Sequence, residues 1–438
     1  MRSLKSTVLV LLGLLTCAVA PLACRPGGAP APSAPASSSP APRPPGAIDV
    51  AEPPSPEGSL YKVMDLQVTA ADLWRLRGGA ILLESDRALF ALIQGDAVQV
   101  LPAMGRGLPP EDGTDDRGSV QMITGRWPDS VWLVWRDYDT SSAADNLWYE
   151  RLFRYRGDHW ERIHETKHDQ SSNTLYRGLW EQPEGCLVGL LADDRSENNA
   201  WQAQTEALDC APRPSPTLSF KAAKQTEYGI AAALGFASGH VAVLEQYTKM
   251  KEGEPKPLRL VLSQPGPPNR TEIALPLPPE IAHDRRSFKL LDSKLLGKAP
   301  SELYLVGNYD LGALTIPLLL RFDGTSFAPL PSSPVAYIGD ADLAEDGSLV
   351  LLGSPPKDNP KGRSIWILPR GGAWRERPMP VDRQVGEPYR PWSIAARSND
   401  DVWVVGYHEN NERKNRRLAL FHSRRPAPAG RSGGAAVP

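Results

Sequence analysis

Few side chains in this 438-residue chain have the type and spacing of reactive chemistry. The carboxylates of Asp137, Asp139, Asp193 and Asp194 are hard oxygen donors of the kind calcium takes. No stretch around them alternates ligands about an obligatory glycine, so they read as solvated loop acids. His164 and His168 are four apart with His159 nearby, yet the His-Glu-x-x-His pattern of zinc hydrolases is missing. No metal and no cofactor is expected. There is also no Gly-x-Ser-x-Gly elbow, no Gly-x-x-x-x-Gly-Lys-[ST] phosphate loop and no dinucleotide fingerprint. What remains is of two kinds. Asp292, Asp340 and Asp342 are acids that could work as a catalytic pair if the fold brought them to one cavity mouth. Tyr138, Trp148, Trp201, Tyr309, Tyr407 and His408, interleaved with Asp137, Asp139, Asp193, Asp194 and Asp310, combine flat apolar plates with polar partners, as ligand recognition does.

The rest of the chain must position these residues. It is 41% hydrophobic and 23% charged with a formal net charge of −2. Such a chain can bury a sizeable core, and it offers no clustered positive field for nucleic acid. Residues 1–23 read as an export signal: Arg2 and Lys5 precede an apolar run, Thr7 to Ala20, that is too short to span a bilayer. Two cleavage readings compete at its end. Ala18-Val19-Ala20 has the small-x-small form but is obstructed by Pro21; Leu22-Ala23-Cys24 looks like a lipobox with Cys24 as the acylated residue. Lipidation at Cys24 is the preferred reading, and simple secretion the other. Residues 24–58, almost entirely Pro, Ala, Ser and Gly, form an extended tether that cannot build a core, and 424–438 is a similar tail. The expected location is the cell envelope, on the outer membrane or cell surface.

Between 59 and 423 the pattern is all-β. Six runs share one form: Ser130 to Val134, Gly185 to Gly189, Gly239 to Val243, Glu302 to Gly307, Gly347 to Gly353 and Asp401 to Gly406. A turn precedes each run, and a polar stretch and a second strand mostly follow it. A compact first unit, Leu73 to Leu101, makes seven. A repeat of this length, holding four strands, cannot bury its own faces and must stack on its neighbours. The last unit stops after its third strand, while Ser59 to Leu66 is an unassigned β-like run. The expectation is therefore a β-propeller of seven four-stranded blades, closed by an N-terminal strand that removes two exposed edges.

Three stretches carry a family resemblance: Asp400-Asp401-Val402-Trp403-Val404-Val405-Gly406, Leu320-Arg321-Phe322-Asp323-Gly324 and Phe153-Arg154-Tyr155-Arg156-Gly157-Asp158-His159-Trp160. They resemble degenerate propeller repeats of secreted bacterial lipoproteins, distantly similar to Kelch and Asp-box repeats. No unit has the full Kelch double glycine or the full Asp-box, so the resemblance implies a fold and no particular activity.

Cys186 and Cys210 flank one hairpin symmetrically about Asn198, and export to an oxidising compartment makes them an expected disulfide. The loops between second and third strands are long and polar, whereas the other turns are mostly short. All the elaboration thus falls on one face, which is the expected binding surface. The reading is a non-catalytic, monomeric envelope lipoprotein, held to the membrane through its lipid anchor, that binds a protein or glycan through this face. The alternative is a secreted carbohydrate-active hydrolase or lyase with carboxylates at the channel mouth.

Overall fold

Short apolar runs ending in glycine or aspartate turns have the period of strands, and the computed structural model of the protein holds little else. It describes residues 59–67, 71–85, 90–101, 118–138, 148–168, 174–181, 187–193, 202–209, 219–221, 228–247, 258–264, 270–278, 289–312, 314–330, 334–355, 363–377, 389–409 and 416–424, with Met104, Gly107, Leu108 and Met379. Among them every named element is a strand, and the strands form seven four-stranded antiparallel sheets. No helix among the described residues is long and apolar enough to cross a membrane.

Strand β1 (Ser59–Gln67) comes first in the chain and belongs to the last sheet. Blade 1 is β2 (Ala71–Arg75), β3 (Ile81–Ser85), β4 (Phe90–Gln94) and β5 (Ala97–Val100). Blade 2 is β6 (Ser119–Arg126), β7 (Ser130–Tyr138), β8 (Trp148–Tyr155) and β9 (Trp160–His168). Blade 3 is β10 (Thr174–Glu181), β11 (Leu187–Asp193), β12 (Gln202–Asp209) and β13 (Ser219–Lys221). Blade 4 is β14 (Tyr228–Gly235), β15 (Val241–Tyr247), β16 (Arg259–Ser263) and β17 (Arg270–Ala274). Blade 5 is β18 (Lys289–Ala299), β19 (Glu302–Asp310), β20 (Thr315–Phe322) and β21 (Phe327–Pro329). Blade 6 is β22 (Tyr337–Leu343), β23 (Leu349–Ser354), β24 (Ser364–Leu368) and β25 (Arg375–Arg377). Blade 7 is β26 (Tyr389–Ser398), β27 (Asp401–Glu409) and β28 (Arg416–Arg424), completed by β1, whose Ser59 lies opposite His422.

The first strands of successive blades touch in chain order, and β26 of blade 7 touches β2 of blade 1, which closes the ring about a central channel. The chain is thus an all-β propeller with its N-terminal strand in the last blade. Its apolar core is divided among the blade interfaces. Leu76, Leu82 and Phe90 of blade 1 pack with Leu133, Phe153 and Trp160 of blade 2. Ala71, Leu83 and Ile93 pack with Trp403, Val405 and Leu420 of blade 7. Each of the other five interfaces has its own cluster. A blade alone would leave such a face in water; stacking it recovers about 2 kcal/mol for each large side chain that becomes fully buried.

One irregularity recurs and matters for the site. The inner strands β6, β10, β14, β18, β22 and β26 each carry a β-bulge near the end where they enter from the preceding blade. A bulge leaves one extra residue unpaired and re-aims its neighbours. In blade 7 the bulge falls between Pro391 and Ser393 and is accommodated by Gly406 on β27, where a Cβ would lie 2.4 Å from the Arg390 carbonyl oxygen. Gly307 and Gly353 hold the same place in blades 5 and 6, each close to its own bulged or entering strand. The glycine that ends the second-strand runs in the sequence is therefore a seat for the bulge beside it.

Candidate functional site

The anticipated ligand residues fall into three groups. Cys24, Asp139, Cys186, Asp194, Trp201 and Cys210 lie outside the described residues. The chain neighbours of the two cysteines, Leu187 and Asp209, are cross-strand partners. Tyr138, Asp193 and His408 end strands β7 and β11 or lie near the end of β27, and only their backbone is described. The remaining five are placed in full, and the contacts of four of them tie them to the scaffold as follows. Asp137 forms an ion pair with Arg151 at 2.6 Å, and Arg151 also binds Glu165 at 2.7 Å. Trp148 opens β8 and stacks on the buried His168, with ring centroids 3.8 Å apart and Arg136 over its ring. Asp310 accepts the Gly312 amide at 2.8 Å and so shapes the turn after β19.

Tyr309 requires a correction. The sequence reading set it in a loop as a ligand-facing plate; it lies inside β19 and is wholly buried in the core between blades 4 and 5. The strand continues through a polar stretch because the neighbouring Asn308 spends its carboxamide on the next blade. Its Oδ1 accepts the Ile338 amide at 2.9 Å and its Nδ2 donates to the Ile338 carbonyl at 2.8 Å. A buried polar group so satisfied costs little. Tyr407 is half-buried near the end of β27, at the same end of its blade as Asp310 is of blade 5.

The three inner-strand acids have a more informative fate. Asp340 and Asp342 lie on β22 and line the channel side of blade 6. An inner strand pairs on one edge only, which leaves amides on the other edge to be satisfied by the next blade or by water. Asp340 Oδ2 accepts the Ser393 hydroxyl at 2.8 Å and the Ile394 amide at 2.9 Å, both on β26, while its Oδ1 takes the Lys294 ammonium from β18. Asp342 repeats the arrangement two residues on. Its Oδ2 accepts the Ala396 amide and the Arg75 Nε, each at 2.9 Å, and Arg75 reaches on to the Leu343 carbonyl at 2.6 Å. Ser393 in turn accepts the Leu73 amide at 3.2 Å, carrying the series into blade 1. Blades 5, 6, 7 and 1 are thus laced together through the channel wall by two carboxylates whose oxygens are all occupied.

Asp72 on β2 is the acid that sequence reasoning passed over. Burial raises its carboxyl above the ordinary value, Asp340 adds to the rise, and Lys294 opposes it. Burial is the largest single influence on the Lys294 ammonium and lowers it, but Asp340, Asp342 and Asp72 together outweigh it, so its pKa is raised. The Lys294 ammonium is held on Asp340, while about half of the side chain's surface (47%) stays accessible. No group of three or more His, Cys, Asp or Glu able to hold a metal occurs among the described residues.

At the channel end that bears the second-to-third-strand loops, the bulges of β18 and β26 present a different surface. Asp292, in the bulge of β18, has a positive φ of 50°, a conformation that aspartate tolerates better than most residues. Its Oδ2 accepts the Tyr337 hydroxyl of blade 6 at 2.7 Å, and among the described residues its second oxygen takes no bond. Arg363 sits over the Tyr337 ring at 6.0 Å and donates to the Pro391 carbonyl at 2.8 Å. Next in the chain is Trp392, 44% exposed. Among the described residues only four large hydrophobics are exposed: Ile163, Leu291, Leu314 and Trp392. Leu291 adjoins the β18 bulge, and Leu314 lies in the turn between β19 and β20, so three of the four are on the long-loop face. The nearest sequence signal was a tryptophan directly after the proline near the start of β26, hidden among tryptophans that are core.

Neither a protein family nor a curated relative matches the chain by sequence. Solved structures with overlapping folds include prolyl oligopeptidase B from Galerina marginata bound to a 35mer hydrolysis and macrocyclization substrate (9% identity, 83% of this chain and 49% of that one, TM-score 0.48). Others are a Trypanosoma rangeli sialidase in complex with the inhibitor DANA (7%, 83% and 56%, TM-score 0.36) and a TolB-like protein from Agrobacterium tumefaciens (17%, 60% and 86%, TM-score 0.31). The chain spans about half the length of the prolyl oligopeptidase chain. Overlap this loose carries no argument about the activity of this chain.

Proposed function

We propose that this chain is a non-catalytic lipoprotein of the cell envelope, anchored through Cys24, that binds a protein or glycan with the long-loop face of its propeller. The observation that carries the reading is the placement of exposed apolar side chains: Leu291, Leu314 and Trp392 share that face, and none of the four exposed large hydrophobics lies in a described turn of the opposite one. Exposed large apolar side chains gathered on one face, with none in the described turns of the other, are what an interaction surface would leave. The anchoring side is consistent with this. β1 begins and β28 ends at the short-turn end of blade 7, where Arg424 lies opposite Asp401, so the tether joins the ring away from the binding face. The enzymatic alternative needs two carboxylates free to exchange protons with a substrate. Asp340 and Asp342 are spent on the ring, which leaves Asp72 on β2 and Asp292 in the bulge of β18 as separate acids on different blades.

Two measurements test the reading. Metabolic labelling with a palmitate analogue should mark the intact protein and leave Cys24→Ala unlabelled; label on neither defeats the anchor. Binding of the purified full chain to envelope fragments from the producing cells should drop about tenfold in Leu314→Asp and persist in Gln94→Lys, which alters a short-turn position. Equal loss in both variants, or binding to no fragment, defeats the binding face.

A further inference from the structure

We infer that the channel mouth at blades 5 to 7 is a carbohydrate subsite, with the Trp392 indole as the platform and the Asp292, Tyr337 and Arg363 groups beside it as the hydroxyl-reading edge. This rests on the binding reading above and names its ligand class. A sugar ring offers one apolar face of C–H groups and a rim of hydroxyls, each both donor and acceptor. A site for it therefore pairs one exposed aromatic plate with fixed polar groups of both kinds. The mouth supplies both. Trp392 is the exposed residue of the bulge between Pro391 and Ser393, and that bulge is seated on Gly406. The polar groups are pinned in place: Asp292 by Tyr337 at 2.7 Å, and Arg363 by the Pro391 carbonyl at 2.8 Å. Asp292 keeps an acceptor oxygen open and Arg363 brings guanidinium donors, so adjacent hydroxyls can find an acceptor and a donor.

A protein partner fits less well. Protein interfaces surround an aromatic anchor with a closely packed apolar core, and here the groups joined to the Trp392 backbone through Pro391 are in turn a guanidinium, a phenol and a carboxylate. Preorganised polar groups next to a single plate suit a small, hydroxyl-rich ring better than a wide apolar surface.

The test uses the full chain and envelope fragments of the producing cells in three forms: untreated, protease-treated, and stripped of glycan by periodate oxidation and muramidase digestion. Binding should survive protease and be lost on glycan removal. Trp392→Ala should weaken it about tenfold, Trp392→Tyr should restore most of it, and Asp292→Asn should weaken it severalfold, with thermal unfolding of all three close to the parent. Loss on protease treatment with retention after glycan removal overturns the inference and makes the partner a protein, leaving the binding face intact. Glycan-dependent binding that Trp392→Ala does not change also overturns it, by placing the subsite elsewhere. Binding to none of the fragments removes the binding reading together with this one.

Discussion

Two sets of channel residues, on the inner strands of adjacent blades, do opposite things with the same chemistry. Inside the channel, Asp340 and Asp342 have both oxygens taken by backbone amides of the next blade and by Lys294 or Arg75. At the mouth, Asp292 holds one hydrogen bond and faces water. The difference follows from what surrounds each acid. A regular inner strand leaves amides along its free edge, and a carboxylate on the neighbouring strand takes one of them together with a cation, at the cost of any reactivity. Where the strand bulges, that regular series is broken and the side chain turns outward. A carboxylate in a propeller channel is thus structural or available according to the backbone beneath it.

That contrast can be broken experimentally. The largest expected effect is at the lacing. Asp342→Asn removes the charge paired with Arg75 and leaves a poor partner for the Ala396 amide, so it should cost about 3 kcal/mol in chemical denaturation. Asp292→Asn, isosteric and at the mouth, should stay within about 0.5 kcal/mol of the parent. Equal losses would erase the distinction. Next is the seat of the bulge: Gly406→Ala drives a Cβ into the Arg390 carbonyl and should cost about 2 kcal/mol, measured in the same way. The smallest effect belongs to Asp72. Its carboxyl titrates higher in the folded chain than the ordinary value of 3.8, so the folded state holds the proton more tightly. The resulting penalty is absent below that value and grows as pH rises through the raised one. Asp72→Asn should therefore be mildly stabilising at pH 7 and neutral at pH 3, and a variant equally stabilised at both values would show that charge is not the cause.

Much of the architecture was legible because it is written in period and spacing. Second-strand runs such as Asp401 to Gly406 and Glu302 to Gly307 mark the blades, and the unassigned run at Ser59 pairs with the incomplete last unit. The site was less legible because the sequence marks polar residues without saying what satisfies them. Asn308-Tyr309-Asp310 reads as a loop by composition, but it is strand because Asn308 bonds across to blade 6, and that places Tyr309 in the core. Asp137 and Trp148 look like loop residues and are strand residues engaged by Arg151 and His168. Conversely, Trp392 is a strand tryptophan like the buried Trp132 and Trp403, and it is exposed where β26 bulges. Bulges have no strong local signature, since they depend on register with a strand further along the chain.

The closure of blade 7 has a consequence in time. Every other blade is complete once four consecutive strands have been made, so it can pair fully as the chain lengthens. Blade 7 joins β1, the earliest strand, to β28, the latest. Until β28 exists, β1 has no edge to join, and the interfaces on either side of blade 7 lack their last wall. Contacts between such distant parts of a chain are slow to form, and strands left waiting with open edges are prone to pair with another molecule. Each newly made molecule therefore passes through a stage in which nearly all its blades exist and its ring does not, and the arrival of a single hairpin partner ends it.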